Sequence, residues 1–294
     1  MAYGDANLEK PKEEIIISDP ERLAELEQAL IKGGPQNLHI LSDFDRTLTK
    51  AFIDGQYIPS LISVLRDHGY LTPDYPEQAH ALFNKYHAIE LDPKVSLADK
   101  KRAMLEWWTA HFDLLIRSGL NKKDLSDVVE SNQIVLRDGF KEFSELLKAQ
   151  NIPLVVLSSS GLGGEIIAML LAKAGALSSN VHIVSNEFEW DAEGKAIGVK
   201  KPIIHSMNKD EAALKDFSFF KDIKDRKNVL LMGDNLEDTA MITGFSYDNL
   251  VRIGFMNERT KENLEHYQQK YEVVVLNDGS LAYVNDLLKK INQS

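Results

Sequence analysis

Asn37-Leu38-His39-Ile40-Leu41-Ser42-Asp43-Phe44-Asp45-Arg46-Thr47-Leu48-Thr49 decides the fold. The stretch begins as a short apolar run and ends in two carboxylates two residues apart. The run predicts a buried strand, and the carboxylates fall where it ends. In open α/β sheets, ligands bind outside the carboxyl ends of the strands. Two anions this close repel, and burying them is costly unless something pairs with them. A hard cation with oxygen ligands, such as Mg²⁺, would supply that pairing. Asp-x-Asp-x-Thr alone is a weak signal, since Asp and Thr after a strand are more often turn residues, so the rest of the chain has to decide.

The 294 residues suffice for one large domain or two smaller ones with a full core. Hydrophobic residues make up 44% and charged residues 27%, the composition of a soluble globular protein. A net charge of −11 argues against a broad surface for nucleic acid or anionic membrane. It leaves room for a small phosphate ligand, because a local cation or metal can override the mean field. The absence of cysteine excludes disulfides and thiolate metal sites and fits a reducing compartment. Asp5, Glu9, Lys10, Lys12, Glu13 and Glu14 precede any apolar run, so no signal peptide is expected. No apolar run is long enough to cross a bilayer. The expectation is a cytoplasmic protein, monomeric, with a small-molecule partner and neither nucleic acid nor membrane.

Residues 1–17 read as a loose polar lead-in. Ser18-Asp19-Pro20 starts a helix with Leu23, Leu26, Leu30 and Ile31 as its apolar stripe, and Gly33-Gly34-Pro35 stops it. From Gln56 to Asn132 the pattern is helical, with no convincing strand. Ser96-Leu97-Ala98-Asp99 resembles a capping box opening a long helix to about Ser118, which Gly119 closes. Asn121 caps another helix, with Leu125, Val128 and Val129 on one face. From Gly139 onward strands and helices alternate. The strands are Ile152–Leu157, Val181–Val184, Asn228–Met232, Leu250–Ile253 and Glu272–Leu276, with a hairpin turning at Asp191-Ala192-Glu193-Gly194. Continuous Val/Ile/Leu runs between helices predict a parallel sheet covered on both faces. The domains expected are an α/β core of residues 1–55 and 133–294 and a helical cap of residues 56–132.

Three of these strands end in polar clusters: Asp43/Asp45, Ser158–Gly164 and Asp234/Asp238. Lys209 is expected at a helix start. Singly, each has a bland reading: Ser-rich loops before helices are ordinarily caps, and a lone Lys is ordinarily solvated. Together they match phosphoryl transfer, which needs a nucleophile, a proton shuttle, a metal and cationic or N–H groups for the non-bridging oxygens.

With those residues in place, the chain resembles the haloacid dehalogenase superfamily of phosphatases. Within it, the chain is similar to the cytosolic 5'-nucleotidase III family of pyrimidine and 7-methylguanosine-phosphate-specific 5'-nucleotidases. The likeness rests on Asp43-Phe44-Asp45-Arg46-Thr47-Leu48, Lys85-Tyr86-His87-Ala88-Ile89-Glu90-Leu91-Asp92-Pro93 and Glu106-Trp107-Trp108-Thr109. It rests also on Val184-Ser185-Asn186, His205-Ser206-Met207-Asn208-Lys209 and Leu231-Met232-Gly233-Asp234. Two of these stretches lie in the helical insertion, so the likeness is narrower than the superfamily motifs. The fold it implies is a Rossmann-like parallel sheet with a cap inserted after the first core strand.

The resemblance also implies roles. Asp43 would attack phosphorus, and Asp45 would protonate the leaving oxygen and then deprotonate water. Mg²⁺ would be held by Asp43, the Asp45 carbonyl and Asp234, with Asp238 holding a metal-bound water or orienting Lys209. Ser159, the Ser160 N–H and Lys209 would grip the phosphoryl oxygens, with Ser158 and Ser160 as alternatives to Ser159. The cap would read the nucleoside through Glu90, Trp108 and His111. A carboxylate accepts N–H bonds from an exocyclic amine, and an indole stacks on a base. Trp107 reads as cap core. The Trp108/His111 pair resembles the 7-methylguanosine-phosphate branch more than the pyrimidine branch. Both 7-methylguanosine monophosphate and CMP are therefore expected as substrates, with the methylated purine favoured.

The chain departs from the family at Arg46, where an apolar residue is usual, at Ser160 in place of Ala, and at Glu237, where Gly is frequent and a carboxylate adds charge beside the metal site. Two other functions fit the same residues less well. One is a phosphatase of the same superfamily acting on a small non-nucleotide phosphate. The other is a non-catalytic nucleotide-binding protein, which would have no need of a positioned nucleophile and shuttle.

Overall fold

The computed structural model describes residues 14–92, 94–209, 214–258 and 261–293. The chain opens with strand β1 (Glu14–Ile17), helix α1 (Pro20–Gly33) and strand β2 (Leu38–Ser42). A short hairpin of β3 (Phe52–Ile53) and β4 (Gln56–Tyr57) follows. Four helices come next: α2 (Leu61–Asp67), α3 (Tyr75–Leu91), α4 (Leu97–Arg117) and α5 (Lys122–Glu130). The alternation then runs α6 (Phe140–Ala149), β5 (Leu154–Leu157), α7 (Gly163–Lys173) and β6 (Val181–Val184), with a hairpin of β7 (Phe188–Trp190) and β8 (Ala196–Val199). It ends with α8 (Phe220–Ile223), β9 (Asn228–Gly233), β10 (Asn249–Met256), α9 (Lys261–Lys270), β11 (Val273–Leu276) and α10 (Ala282–Asn292).

The main sheet has the order β1-β11-β10-β9-β2-β5-β6. Every neighbouring pair is parallel except β1 with β11. The chain moves outward from β2 to β5 and β6, then returns to β9 on the other side of β2. That reversal puts a crevice at the carboxyl end of β2, where α/β sheets bind ligands. Every residue of β2, β5, β9 and β11 is buried, as a sheet covered on both faces requires. Alternate residues feed two apolar clusters. Ile40, Val156, Met232 and Val275 join the cluster that also receives Leu61, Val64, Phe112 and Leu115 from the helical insertion. Leu41, Val155, Leu231 and Val274 join the other. A smaller cluster of Tyr86, Ala103 and Met104 lies between α3 and α4.

Helix ends follow their predicted chemistry. Asp19 accepts from the Arg22 amide, Ser96 from the Asp99 amide, and Asn121 with Asp124 forms a reciprocal capping box. Two expectations are corrected. Residues 14–17, read as loose lead-in, form an antiparallel edge strand on β11; Ile15-Ile16-Ile17 is a β-branched run that suits one. The region read as lacking strands begins inside the β3–β4 hairpin. Its turn is Asp54-Gly55, with φ of 50° and 76°, the left-handed pair that a tight hairpin needs. The rest of the lead-in, and the helix expected to begin at Lys209, fall on residues outside those described. No helix among the described residues is long and apolar enough to cross a membrane.

His39, at 1% exposure in β2, gives the fold a pH dependence. Its Nδ1–H donates to the Arg226 carbonyl at 3.1 Å, and its ring lies 5.6 Å from Phe245. Burial pushes its pKa from 6.5 down to about 4, helped by the Arg226 and Lys227 charges and opposed by the carbonyl. The unfolded chain therefore binds this proton before the folded protein does. Stability is lost as pH falls from about 6.5 to about 4, by on the order of 3 kcal/mol from this residue. His39→Phe should flatten that part of the pH profile, measured by urea unfolding between pH 8 and pH 4. An unchanged slope would show that His39 takes up no proton on unfolding.

Candidate active site

Asp43 directly follows β2, and its amide donates to the Met232 carbonyl at 3.0 Å, carrying the β2–β9 ladder one residue further. The Ser42 hydroxyl donates to the Asp43 carbonyl at 2.7 Å. The Asp43 side chain is thus fixed at the strand's carboxyl end and is only 6% exposed. The Lys209 ammonium donates to Asp43 Oδ1 at 2.5 Å and to Asp238 Oδ1 at 2.7 Å. Lys209 is itself buried. The other oxygen of Asp238 accepts from the amides of Asp234 and Asn235, each at 3.1 Å, closing the turn after β9. Gly233 permits that closure, since a Cβ there would lie 2.4 Å from the Asp238 Cβ. Carboxylate oxygens of Asp43, Asp234 and Asp238 all lie within 4.8 Å of one another.

The electrostatics follow from two buried carboxyls, Asp43 and Asp238, a half-buried one, Asp234, and one buried cation. Burial pushes the Asp43 carboxyl upward; Lys209 opposes this and Asp238 adds to it. Burial likewise raises Asp234, reinforced by the charges of Asp43 and Asp238. Lys209 moves the other way: burial would lower it, but the two carboxylates outweigh burial and raise it. Asp45 is half-buried, and burial raises its carboxyl against the pull of Arg46, Lys209 and an accepted bond from the Leu61 amide. That amide opens α2, so the helical insertion touches Asp45 directly.

The loop after β5 supplies hydroxyls and amides. Ser158 Oγ accepts from the Ser160 amide at 3.2 Å, and Ser160 Oγ from the Leu162 amide at 3.2 Å. Both side chains are committed to shaping the loop. The Ser159 hydroxyl has no partner among the described residues, and Ser159 is the most accessible of the three serines. Buried Asn186 ties this loop to the next: its Nδ2 donates to the Ser160 carbonyl at 3.3 Å and the Ile204 carbonyl at 2.9 Å.

Trp108 lies directly on this loop: a Cβ on Gly161 would come within 2.8 Å of the indole. Phe112 stacks on Trp108 at 5.6 Å, and His111 stands edge-on at 5.6 Å. His111 is 7% exposed, and its buried Nε2 has no hydrogen-bond partner. Burial pushes its pKa down to about 4, so the ring is neutral at neutral pH. Trp107 stacks on Trp108 at 5.8 Å and on Tyr86 at 6.1 Å, the latter within the α3–α4 cluster that Met207 joins. Glu90 on α3 accepts from the Ser206 hydroxyl at 2.7 Å, three residues before Lys209.

The structure therefore brings Asp43, Asp45, Lys209, Asp234, Asp238 and the serine loop to one end of the sheet, with Trp108 against them. Glu90, on α3, bonds to Ser206 in the stretch that leads to Lys209. The sequence reading missed three supports. Phenols of Tyr267 and Tyr271, four apart on and just after α9, donate to the carbonyls of Asp234 and Asn235. Asn186 was quoted only as part of a motif. Arg137 was not singled out at all; a charged residue between Leu136 and the Gly139 turn carries no signal of burial.

The fold matches phosphoserine phosphatase with a TM-score of 0.52, at 16% identity over 85% of this chain and 96% of that one. It also matches a haloacid dehalogenase-family hydrolase from Salmonella enterica with a TM-score of 0.55, at 15% identity over 92% of this chain and 81% of that one. A much closer likeness is to cytosolic 5'-nucleotidase IIIB bound to cytidine, with a TM-score of 0.86 and 27% identity over 95% of this chain and 94% of that one. In sequence, the chain is 34% identical to a Xenopus laevis 7-methylguanosine phosphate-specific 5'-nucleotidase A, over 95% of this chain and 96% of the relative. The human 7-methylguanosine phosphate-specific 5'-nucleotidase is 33% identical over 95% of this chain and 93% of its own. The profile of the pyrimidine 5'-nucleotidase (UMPH-1) family matches residues 46–292, and the chain belongs to that family of 5'-nucleotidases.

Removing the one ammonium from this cluster should be costly. Lys209→Met leaves Asp43 and Asp238 buried without their cation, a loss of about 3–5 kcal/mol at neutral pH. Urea unfolding in EDTA measures it. An unchanged midpoint would show that the carboxyls carry protons instead.

Proposed function

We propose that this chain is a Mg²⁺-dependent nucleoside 5'-monophosphate phosphohydrolase that works through an aspartyl-phosphate on Asp43. Its substrates would be 7-methylguanosine monophosphate and pyrimidine monophosphates such as CMP, with the methylated purine favoured. The observation that carries this reading is the Trp108 indole lying on Gly161 of the serine loop, which sets a base-stacking surface beside the buried Asp43–Lys209 pair.

A divalent cation suits the donor set. Among the described residues the Asp234 carboxylate receives only a 3.4 Å bond from Asn235, and Asp43 Oδ2 only a 3.4 Å bond from Thr47. Both oxygens of Asp238 are already engaged. We therefore assign Asp43, Asp234 and the Asp45 carbonyl as ligands, with Asp238 holding Lys209 in place. When bound, Mg²⁺ would offset charge on the transferring phosphoryl group.

In the proposed reaction an Asp43 oxygen forms a bond to phosphorus as the bond to the 5'-oxygen breaks. Asp45 gives its proton to that oxygen; its raised pKa favours the protonated form such a donor needs. Asp45 then takes a proton from water, whose oxygen displaces Asp43 and releases phosphate. Lys209 screens Asp43 so that a dianion can approach. Ser159, with its unpartnered hydroxyl, and the loop amides face the non-bridging oxygens. Ser160 contributes through its backbone once its amide leaves Ser158.

The cap selects the base. Stacking on Trp108 is worth roughly 1–3 kcal/mol. A cationic methylated purine gains further over the indole face, on the order of 1 kcal/mol. His111 is neutral and does not repel that cation. The Glu90 carboxylate offers a counter-charge or accepts an exocyclic amine.

Purified protein incubated with 7-methylguanosine monophosphate, CMP, UMP, AMP and phosphoserine should release phosphate from the first two with Mg²⁺ and not with EDTA, and Asp43→Asn should abolish release. Release from phosphoserine alone would keep the mechanism and remove the nucleotide assignment; nucleotide binding without release would remove the enzyme. Trp108→Ala should raise KM for 7-methylguanosine monophosphate roughly ten- to hundredfold with little change in kcat. Equal KM values would mean that the base does not stack there.

A further inference from the structure

Arg137 is the largest of the fully buried side chains among the described residues, and it lies outside every motif above. Its donors reach three loops at the carboxyl end of the sheet. Nε donates to the Thr47 carbonyl at 2.6 Å, and Nη1 to the Gly279 carbonyl at 2.6 Å. Nη2 donates to the Arg46 carbonyl and, at 3.0 Å, to Asn257 Oδ1. Nη1 also lies 3.2 Å from Asp278, and the guanidinium covers Phe255 at 4.3 Å.

A buried ion pair is a poor stabiliser compared with apolar packing. What a planar fork does well is hold several acceptors in fixed geometry. The loop it holds is the one that follows Asp45. Arg46 has φ of 61°, a left-handed conformation that a non-glycine residue keeps only when its surroundings enforce it. Here its carbonyl is gripped by Arg137 and by Asn257 Nδ2 at 3.1 Å, and its amide donates to Thr49 Oγ1 at 2.7 Å. Asp278 secures the far end of the loop, accepting from the amides of Ala51 at 2.9 Å and Phe52 at 3.0 Å. Arg137 therefore joins the frame made by β10 and β11 to the peptide that carries Asp45.

We propose that Arg137 is a positioning residue for the reaction: by gripping the carbonyls of Arg46 and Thr47 in the frame of Asp278 and Asn257, it fixes the aim of the Asp45 carboxyl at the leaving oxygen. This role rests on Asp45 being the proton donor. It predicts a loss that depends on how much the leaving group needs a proton, which loosened packing would not produce.

The test compares CMP with its analogue whose bridging 5'-oxygen is replaced by sulfur. The base and phosphoryl group are the same, but the thiolate departs without a proton because a thiol is far more acidic than an alcohol. Asp45→Asn is the reference and should lose about a hundredfold or more in kcat on CMP and much less on the analogue. Arg137→Met and Arg137→Lys should show the same preference, with the kcat ratio of CMP to analogue falling about tenfold or more and KM nearly unchanged. Lysine keeps the charge but cannot span the fork, so it should restore thermal stability and not the ratio. Asn257→Ala, which removes one grip on Arg46 while keeping Arg137, should shift the ratio in the same direction by less. Equal losses on both substrates, or none in a folded variant, would reduce Arg137 to a structural residue. If Asp45→Asn itself shows no leaving-group preference, the proton-donor reading falls and takes this role with it; if only the Arg137 and Asn257 variants lack it, the positioning role falls alone.

Discussion

The buried Lys209 ammonium, shared between Asp43 and Asp238, is the interaction on which the site depends. It sits where β2 and β9 deliver carboxylates to the same place. Without a cation there, the folded protein would hold adjacent anions in a medium too poor in water to screen them. The arrangement is possible because a ladder bond fixes the Asp43 backbone at the strand end and two backbone amides hold the Asp238 carboxylate. The cluster still carries more negative than positive groups, which is the electrostatic condition for taking up a divalent ion.

Lys209 also joins the two sides of the cleft. The stretch just before it touches α3 and α4, through Ser206 on Glu90 and through Met207 in the Tyr86–Trp107 cluster. It touches the core through Asn186, which binds both the Ile204 backbone and the serine loop. A nucleoside that displaced Ser206 from Glu90 would therefore act on the segment that carries the ammonium. The Glu90 contact and the placement of the ammonium share one stretch of backbone.

The fold was legible in the sequence because its main signals are local. Continuous apolar strands, capped helices and the Gly34 and Gly119 stops need no knowledge of tertiary contacts. The edge strand Glu14–Ile17 was overlooked although its isoleucine run is as β-branched as any core strand; acidic residues on its N-terminal side masked it. The Asp54-Gly55 hairpin was overlooked because two-residue strands have no periodicity to read. At the site, the chemically active residue types stood out by motif. Their supports did not, since the guanidinium of Arg137 and the phenols of Tyr267 and Tyr271 act on backbone carbonyls far away in sequence. Nothing in a residue's sequence neighbours announces that kind of partner.

The two buried cations illustrate a division of labour set by side-chain chemistry. An ammonium is a point charge on a flexible stem, able to trade one oxygen for another with little change in energy. Lys209 faces Asp43, which in the proposed reaction is free, phosphorylated and free again, and such exchange suits it. A guanidinium fixes the direction of each acceptor it binds. Arg137 binds carbonyls of loops that must not move, and it does so beneath the reacting groups. Exchanging the two residue types would leave the net charge of the core unchanged. It would put a rigid fork where partners must change and a mobile charge where geometry must hold.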